Sequence, residues 1–133
     1  MHAIQPLATL FGRLLLAYIF LLSGFGKISK FAGTAAYMAS KGLPISEILL
    51  VATIIIEVGG GLMLVLGWKA RWGALAIFLW MIPVTLIFHG YWAVEPEQVR
   101  TQMIQFNKNL AIMGGLLYVM VAGSGRYSLD KGA

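Results

Sequence analysis

The chain has 133 residues, of which 59% are hydrophobic and only 11% are charged, and its mean hydropathy is +0.83. A soluble domain of this size could not bury so much apolar surface, so the composition predicts one integral membrane domain over residues 1–133. The formal net charge is +5, but the basic residues are scattered among loop ends, which argues against nucleic-acid binding. Cysteine is absent, which excludes thiol exchange, thiolate-bound iron–sulfur clusters and covalent c-type haem on this chain.

The first predicted element is a membrane helix over about residues 7–26. Arg13 interrupts its apolar run and no basic segment precedes it, so we expect an uncleaved span and not a signal peptide. An amphipathic helix in the membrane interface is expected to follow in the first loop. Its apolar residues recur at helical spacing and are Ile28, Phe31, Ala32, Ala35 and Met38.

Two more spans are predicted over about residues 44–66 and 70–92, and the very short turn between them indicates a tight antiparallel hairpin. The third loop is expected to hold a second interfacial helix with an acidic first turn, Glu95-Pro96-Glu97, followed by a shorter fourth span over about 109–123. The first three segments can each cross a bilayer, which needs roughly 20 residues per span. The predicted fold is therefore all-α, a polytopic membrane four-helix bundle with short interfacial helices in the first and third loops.

Four spans place both ends of the chain on the same side of the membrane. The basic residues divide evenly between the two sides, so their count alone does not fix the orientation. The short basic turn with Lys69 and Arg71, together with the basic tail, favours both termini in the cytoplasm.

Polar side chains inside the predicted spans are the candidates for function. Glu57 lies deep in an apolar run, where an ionisable group normally has a partner or faces a wet cavity. Measured from the first-loop face, Arg13 and Glu57 each lie about 13 residues in, or roughly 20 Å at 1.5 Å per residue. We therefore predict an intramembrane ion pair between them, with Tyr118 as a hydrogen-bonding neighbour.

A second polar layer is expected nearer the first-loop face. Lys27 ends the first span, His89 lies near the end of the third, and the fourth begins at Asn107-Lys108-Asn109. These side chains would form a polar funnel above the carboxyl, a shape suited to a lipid headgroup, a quinone ring or a small anion.

Each of these residues also has a purely structural interpretation. The Arg13–Glu57 pair could simply lock the helices together. Lys27 and Lys108 could be interfacial anchors, His89 a satisfied interfacial histidine, and the asparagines caps of the fourth helix.

With these motifs in order, the chain resembles the DoxX family of small bacterial inner-membrane proteins. The resemblance covers nearly the whole sequence and rests on the runs Ser23-Gly24-Phe25-Gly26-Lys27, Gly42-Leu43-Pro44, Glu57-Val58-Gly59-Gly60-Gly61, Phe88-His89, Phe106-Asn107-Lys108-Asn109 and Gly125-Arg126-Tyr127-Ser128-Leu129-Asp130. It implies a four-helix protein of the bacterial inner membrane. The family takes its name from a subunit linked to thiosulfate:quinone oxidoreduction, so the resemblance also implies a quinone-linked role, with Lys27, Glu57, His89 and Asn109 as site positions.

The sequence thus favours a quinone- or lipid-binding subunit of a redox complex over a stand-alone oxidoreductase. Glu57 and His89 would carry protons, a quinone is the expected cofactor, and no metal site is expected. The expected partners are the bilayer, a redox protein and a second copy of the chain. The ligand-binding candidates are Arg13, Lys27, Glu57, His89, Asn107, Asn109 and Tyr118. A non-catalytic scaffold or chaperone is the alternative, and a small-solute transporter is a weaker one.

Overall fold

The computed structural model describes residues 4–131, and within that range the chain forms five helices and no strand. They are α1 (Ile4–Ser29), α2 (Phe31–Ser40), α3 (Ser46–Leu66), α4 (Ala70–Phe88) and α5 (Pro96–Ala122), with a short 3₁₀ turn at Tyr91–Ala93. The all-α prediction is confirmed. Helices α1, α3 and α4 are long and apolar enough to cross a membrane.

The first-loop helix forms as predicted, because α2 places an apolar face on the bundle. Ala35 and Met38 are buried against Leu50 of α3. The chain then turns through Gly42, whose φ of 85° lies in the left-handed region that glycine tolerates. This loop and α2 define what we call the first-loop end of the bundle.

Helices α3 and α4 form the predicted tight hairpin. Gly67 ends α3 in the left-handed conformation, with φ of 66°, which is a common way to stop a helix. The two helices then pack closely, since a Cβ atom added at Gly60 would lie 2.7 Å from Ile77 Cδ1 and one added at Gly73 would lie 3.3 Å from the Gly60 carbonyl oxygen. The turn lies at the opposite end from α2, which we call the hairpin end.

The last helix differs from the prediction in one respect. The expected third-loop helix and fourth span are one continuous helix, α5, of 27 residues. Proline occupies its first position and Glu97 lies in its first turn, in agreement with the predicted acidic start. Asn107 and Asn109 lie inside this helix and do not cap it, because no glycine or proline interrupts the chain between Pro96 and Gly114.

The core lies between α1, α3, α4 and α5. Its buried side chains are Ala17, Phe20, Leu64, Ala70, Ala74, Ile77, Met81, Leu116 and Val119. Many large apolar side chains, such as Leu15 and Trp72, point outward from the bundle. Such an exterior suits lipid, which does not penalise exposed apolar surface.

Candidate ligand-binding site

Glu57 is the centre of the site, and it lies where the helical geometry of α3 changes. The helix is α-helical on both sides but π-helical over Ile55–Gly59, with Glu57 in the middle of that turn. Only 2% of the Glu57 surface is exposed. A π turn inserts an extra residue into an α-helix and often occurs at functional positions.

Lys27 of α1 is the ionic partner of Glu57. Its Nζ lies 2.8 Å from Glu57 Oε1, away from the direction of a hydrogen bond, and donates a hydrogen bond of 2.6 Å to Ser23 Oγ. Gly24 brings the helices together here, because a Cβ atom at this position would lie 2.6 Å from Val58 Cγ2 and 3.3 Å from Glu57 Cβ. Lys27 is therefore more than an interfacial anchor.

The predicted ion pair between Arg13 and Glu57 is wrong. α1 ends at Ser29 and α3 begins at Ser46, so α1 ends three residues later, and α3 begins two residues later, than the spans expected from the sequence. These shifts account for only part of the error, because the two helices do not meet the first loop at the same level. Gly24 faces Val58, which leaves five residues of α1 but twelve residues of α3 on the first-loop side of this contact. The start of α3 packs against α2 instead, with Leu50 against Ala35 and Met38, and Arg13 lies at the hairpin end.

Arg13 instead binds backbone carbonyls at the hairpin end, where only 1% of its surface is exposed. Its Nη1 donates to the carbonyl oxygens of Leu64 at 2.6 Å and Val65 at 3.2 Å, and its Nη2 donates to that of Tyr127 at 2.6 Å. Carbonyls in the last turn of a helix lack intrahelical partners and attract positive charge. Arg13 thus caps α3 and holds the chain after α5.

That following segment, residues 123–131, folds against the hairpin turn, and we call it the tail clamp. The Leu129 and Asp130 amides donate to the carbonyl oxygens of Leu66 and Gly67, at 3.0 and 3.1 Å. The Asp130 carboxylate accepts from the Lys69 amide at the start of α4. Sequence reasoning missed this clamp, although an aspartate near a helix N-terminus is a favourable arrangement in general.

Three side-chain hydrogen bonds organise the rest of the site around α4. His89 Nδ1 lies 2.8 Å from Gln102 Oε1, a hydrogen bond in the tautomer that carries the proton on Nδ1. Asn109 Nδ2 donates to Thr85 Oγ1 at 3.1 Å, and Trp80 Nε1 donates to Thr53 Oγ1 at 3.2 Å. The first two bonds join α5 to the end of α4, and the third joins α4 to α3.

Trp80, His89 and Asn109 line a cavity of about 330 Å³, which we call the polar cavity. Its polar lining comes from Ser23, Lys27, Glu57, His89, Gln105, Lys108 and Asn109. Its apolar lining includes Phe20, Trp80, Met81 and Ile112. A few convergent polar groups in a mainly apolar wall are typical of small-molecule sites.

A second cavity of about 240 Å³ adjoins the first, since Lys27, Trp80, Val84 and His89 line both. Its outer wall is aromatic, with the rings of Tyr37 and Phe88 stacked at a centroid distance of 5.7 Å. Together the two cavities reach from Glu57 to α2.

The structure brings four of the seven predicted ligand-binding residues together, namely Lys27, Glu57, His89 and Asn109. Arg13 lies at the other end of the bundle, and Asn107 is exposed on α5 away from the cavity. Tyr118 is 80% exposed on the outside of α5 and does not neighbour Glu57. The predictions for Asn107 and Tyr118 rest on depth in the membrane alone. Depth carries no information on which face of a helix a residue occupies.

Several residues of the site were not predicted. Ser23 had a usable signal, because it precedes Lys27 by four residues and side chains at that spacing share a helix face. Thr53, Thr85, Gln102 and Gln105 had none, since single uncharged polar residues are common in helices of every kind. Within residues 4–131, no group of three or more histidine, aspartate or glutamate side chains is placed to bind a metal ion.

The chain is similar in sequence to known membrane proteins. The DoxX family model matches residues 8–90, a segment that contains Lys27, Glu57 and His89. The chain is 33% identical over 129 residues to inner membrane protein YphA of Escherichia coli, covering 97% of this chain and 92% of that protein. It is 35% identical over 131 residues to inner membrane protein YqjF of the same organism, covering 98% and 95%.

A more distant similarity reaches eukaryotes. The Surfeit locus protein 4 homolog of Schizosaccharomyces pombe is 30% identical over 79 residues, which cover 58% of this chain and 26% of that protein. No solved structure matches the chain significantly.

Proposed function

Because the chain belongs to the DoxX family and is an integral protein of the inner membrane, we propose that it is a membrane subunit that binds a quinone in the polar cavity. The observation that carries the proposal is the buried carboxylate of Glu57, which faces this cavity with Lys27 as its ionic partner. An acid held at such depth costs free energy, and this cost favours a role in binding or proton transfer.

A quinone ring matches the chemistry of the cavity walls. Its two carbonyl oxygens are acceptors, and the Lys27 ammonium and the Asn109 amide are donors on the cavity surface. The flat ring suits the apolar wall that includes Phe20, Trp80 and Met81. The size of the cavity, about 330 Å³, suits a single ring.

In the proposed reaction this chain transfers protons to the quinone and a partner protein transfers electrons. Reduction of a quinone to a quinol consumes two electrons and two protons. Glu57 and His89 both line the cavity and can hold protons near the ring oxygens. The chain has no cysteine and therefore no dithiol, so we assign the electrons to a redox partner protein. This makes the protein a binding subunit and not a complete oxidoreductase.

The proposed orientation places both termini in the cytoplasm. The basic residues divide evenly between the two ends, so the argument rests on the very short α3–α4 turn, which carries Lys69 and Arg71 and no acid, and on the basic tail with Arg126 and Lys131. The first-loop end, with the polar cavity, would then face the periplasmic leaflet. A reporter enzyme that works only in the cytoplasm should be active when it is fused after residue 133. One that works only in the periplasm should be inactive there.

The experiment that tests the function is native mass spectrometry of gently solubilised protein, with organic extraction of bound molecules. We expect a stoichiometric quinone on the wild-type protein and none on Glu57→Gln, which removes the charge that Lys27 requires. Glu47→Gln is the matched control, because Glu47 is an exposed carboxylate on the same helix. Ordinary phospholipid alone on all three proteins would overturn the proposal.

A scaffold role is the second candidate, and the use of Arg13 favours it. That side chain is also buried and charged, yet it serves only to join backbone segments. If the Lys27–Glu57 pair has the same purpose, Glu57→Gln will lower the thermal stability without the loss of any bound molecule.

A further inference from the structure

The outer surface of the bundle has a groove between α1 and α5, which we call the lateral groove. It has a volume of about 660 Å³, and its walls are almost entirely apolar. Its lining includes Ala8, Gly12, Ile19, Lys108, Ile112 and Tyr118. Tyr118 and the neighbouring face of α1 are exposed, so the groove opens towards the surrounding lipid.

The lateral groove and the polar cavity adjoin. Ile19 of α1 and Lys108 and Ile112 of α5 line both spaces. The two isoleucines therefore stand between the bilayer and the cavity that contains Glu57, and the Lys108 side chain borders both compartments.

The packing at this seam is light. α5 packs most extensively against α4 and much less against α1. Further along the groove, a Cβ atom added at Gly12 would have no atom within 4 Å, whereas one added at Gly115 would lie 3.2 Å from Leu16 Cδ2. The seam is therefore the place where side-chain movement alone could connect the lipid with the cavity.

We propose that the lateral groove binds the apolar tail of the quinone and that the ring reaches the polar cavity from the bilayer, between Ile19 and Ile112. The proposal rests on the proposed function and names the class of ligand more closely, as a quinone with one long apolar chain. Continuity of the two spaces supports this occupant. An apolar groove that leads to a buried charged pair matches an amphiphile with a polar ring at one end of a hydrocarbon tail.

The groove can be filled without disturbing the packing around it. Gly12→Leu adds a side chain in open space within the groove. Gly114→Leu is the matched control, because it is also a mid-helix glycine with no atom within 4 Å of an added Cβ, but it does not line the groove. Ala8→Leu, at an exposed position that also lines the groove, is a second variant if Gly12→Leu does not fold.

Two probes separate the tail from the ring. One is a ubiquinone analogue with a decyl tail, and the other has the same ring with a methyl group in place of the tail. Binding is measured as quenching of Trp80, which lines the polar cavity, after the exposed Trp68, Trp72 and Trp92 are changed to Phe. Each protein is titrated in the same detergent.

We expect Gly12→Leu to weaken binding of the decyl probe by about tenfold, which corresponds to lost burial of about two methylene groups. The tail-less probe should bind Gly12→Leu and wild type equally, and Gly114→Leu should bind both probes as wild type does. Unchanged binding of the decyl probe by Gly12→Leu, or equal weakening of both probes, would overturn the tail site. The proposed function would still stand in that case, provided that the tail-less probe binds the wild-type protein. Failure of the tail-less probe to bind the wild type would count against the proposed function itself.

Discussion

Within residues 4–131, Arg13 and Glu57 are the two charged side chains that are almost completely buried, and each has its own partners. Glu57 lies 2.8 Å from Lys27 near the first-loop end, whereas Arg13 binds three carbonyl oxygens at the hairpin end. The two residues belong to separate interactions, one beside a cavity and one that joins backbone segments. Substitutions should reveal this separation.

Removal of Lys27 should be costly because it leaves a buried carboxylate without a cation. We expect Lys27→Met to lower the free energy of unfolding by about 3 kcal/mol. Glu57→Gln should cost less, since Lys27 is 26% exposed and its ammonium can reach water. The double variant should be less destabilised than the sum of the two, as measured by denaturant unfolding in one detergent.

The matched control for that cycle pairs Glu57→Gln with Arg13→Met. Their effects should add within about 0.5 kcal/mol, because the two residues share no partner. A strong coupling between Arg13 and Glu57, or additive effects for Lys27 and Glu57, would contradict the assigned ion pair.

At the scale of elements, the existence of the helices could be predicted and their register could not. Long apolar runs located α1, α3 and α4, and the periodicity of Ala35 and Met38 located α2. The register between α1 and α3 depends on how far α3 extends past the end of α1. The first turns of α3 pack against α2, so Lys27 and not Arg13 lies at the level of Glu57. The π turn at Glu57 left no signal in the sequence, because it contains ordinary helix-compatible residues.

Gly24 provides a test of the helix contact that forms the site. Gly24→Ala would place Cβ 2.6 Å from Val58 Cγ2, so α1 must move away from the π turn. We expect a loss of about 1–3 kcal/mol in the free energy of unfolding and weaker retention of any molecule bound beside Glu57.

Gly26→Ala is the control for this prediction. An added Cβ there has no atom within 4 Å, and alanine favours a helix over glycine by about 1 kcal/mol. It should leave thermal stability unchanged or raise it. Equal destabilisation by both substitutions would mean that close packing at Gly24 is not the cause.

At the scale of the whole molecule, the tail clamp joins parts of the chain that are far apart in sequence. Arg13 contacts Tyr127, and Asp130 accepts from the Lys69 amide and from Ser124 Oγ at 3.1 Å. The basic residues of the tail favoured a cytoplasmic C-terminus, but the sequence predicted none of these contacts. Its contacts are mainly to backbone groups, which every residue carries, so no pattern of side chains could reveal them.

Loss of the Asp130 carboxylate should loosen the hairpin end. We expect Asp130→Ala to lower the free energy of unfolding by about 1 kcal/mol, the usual cost of a lost helix cap. Thermal unfolding in detergent checks this. Glu97→Ala is the control for loss of a first-turn acid alone, because Glu97 is exposed at the start of α5, and Asp130→Ala should lower the Tm by more. An unchanged Tm for Asp130→Ala would show that the clamp does not stabilise the hairpin.

The tail clamp also has a consequence for biosynthesis. Arg13 leaves the ribosome 114 residues before its acceptor Tyr127, and at roughly 10 residues per second that delay is on the order of 10 s. During this interval the guanidinium lacks one of its carbonyl acceptors while α1 already lies in the membrane. A nascent chain that stops short of Tyr127 therefore keeps the two carbonyl acceptors of Arg13 Nη1 on α3 but leaves Nη2 without its acceptor.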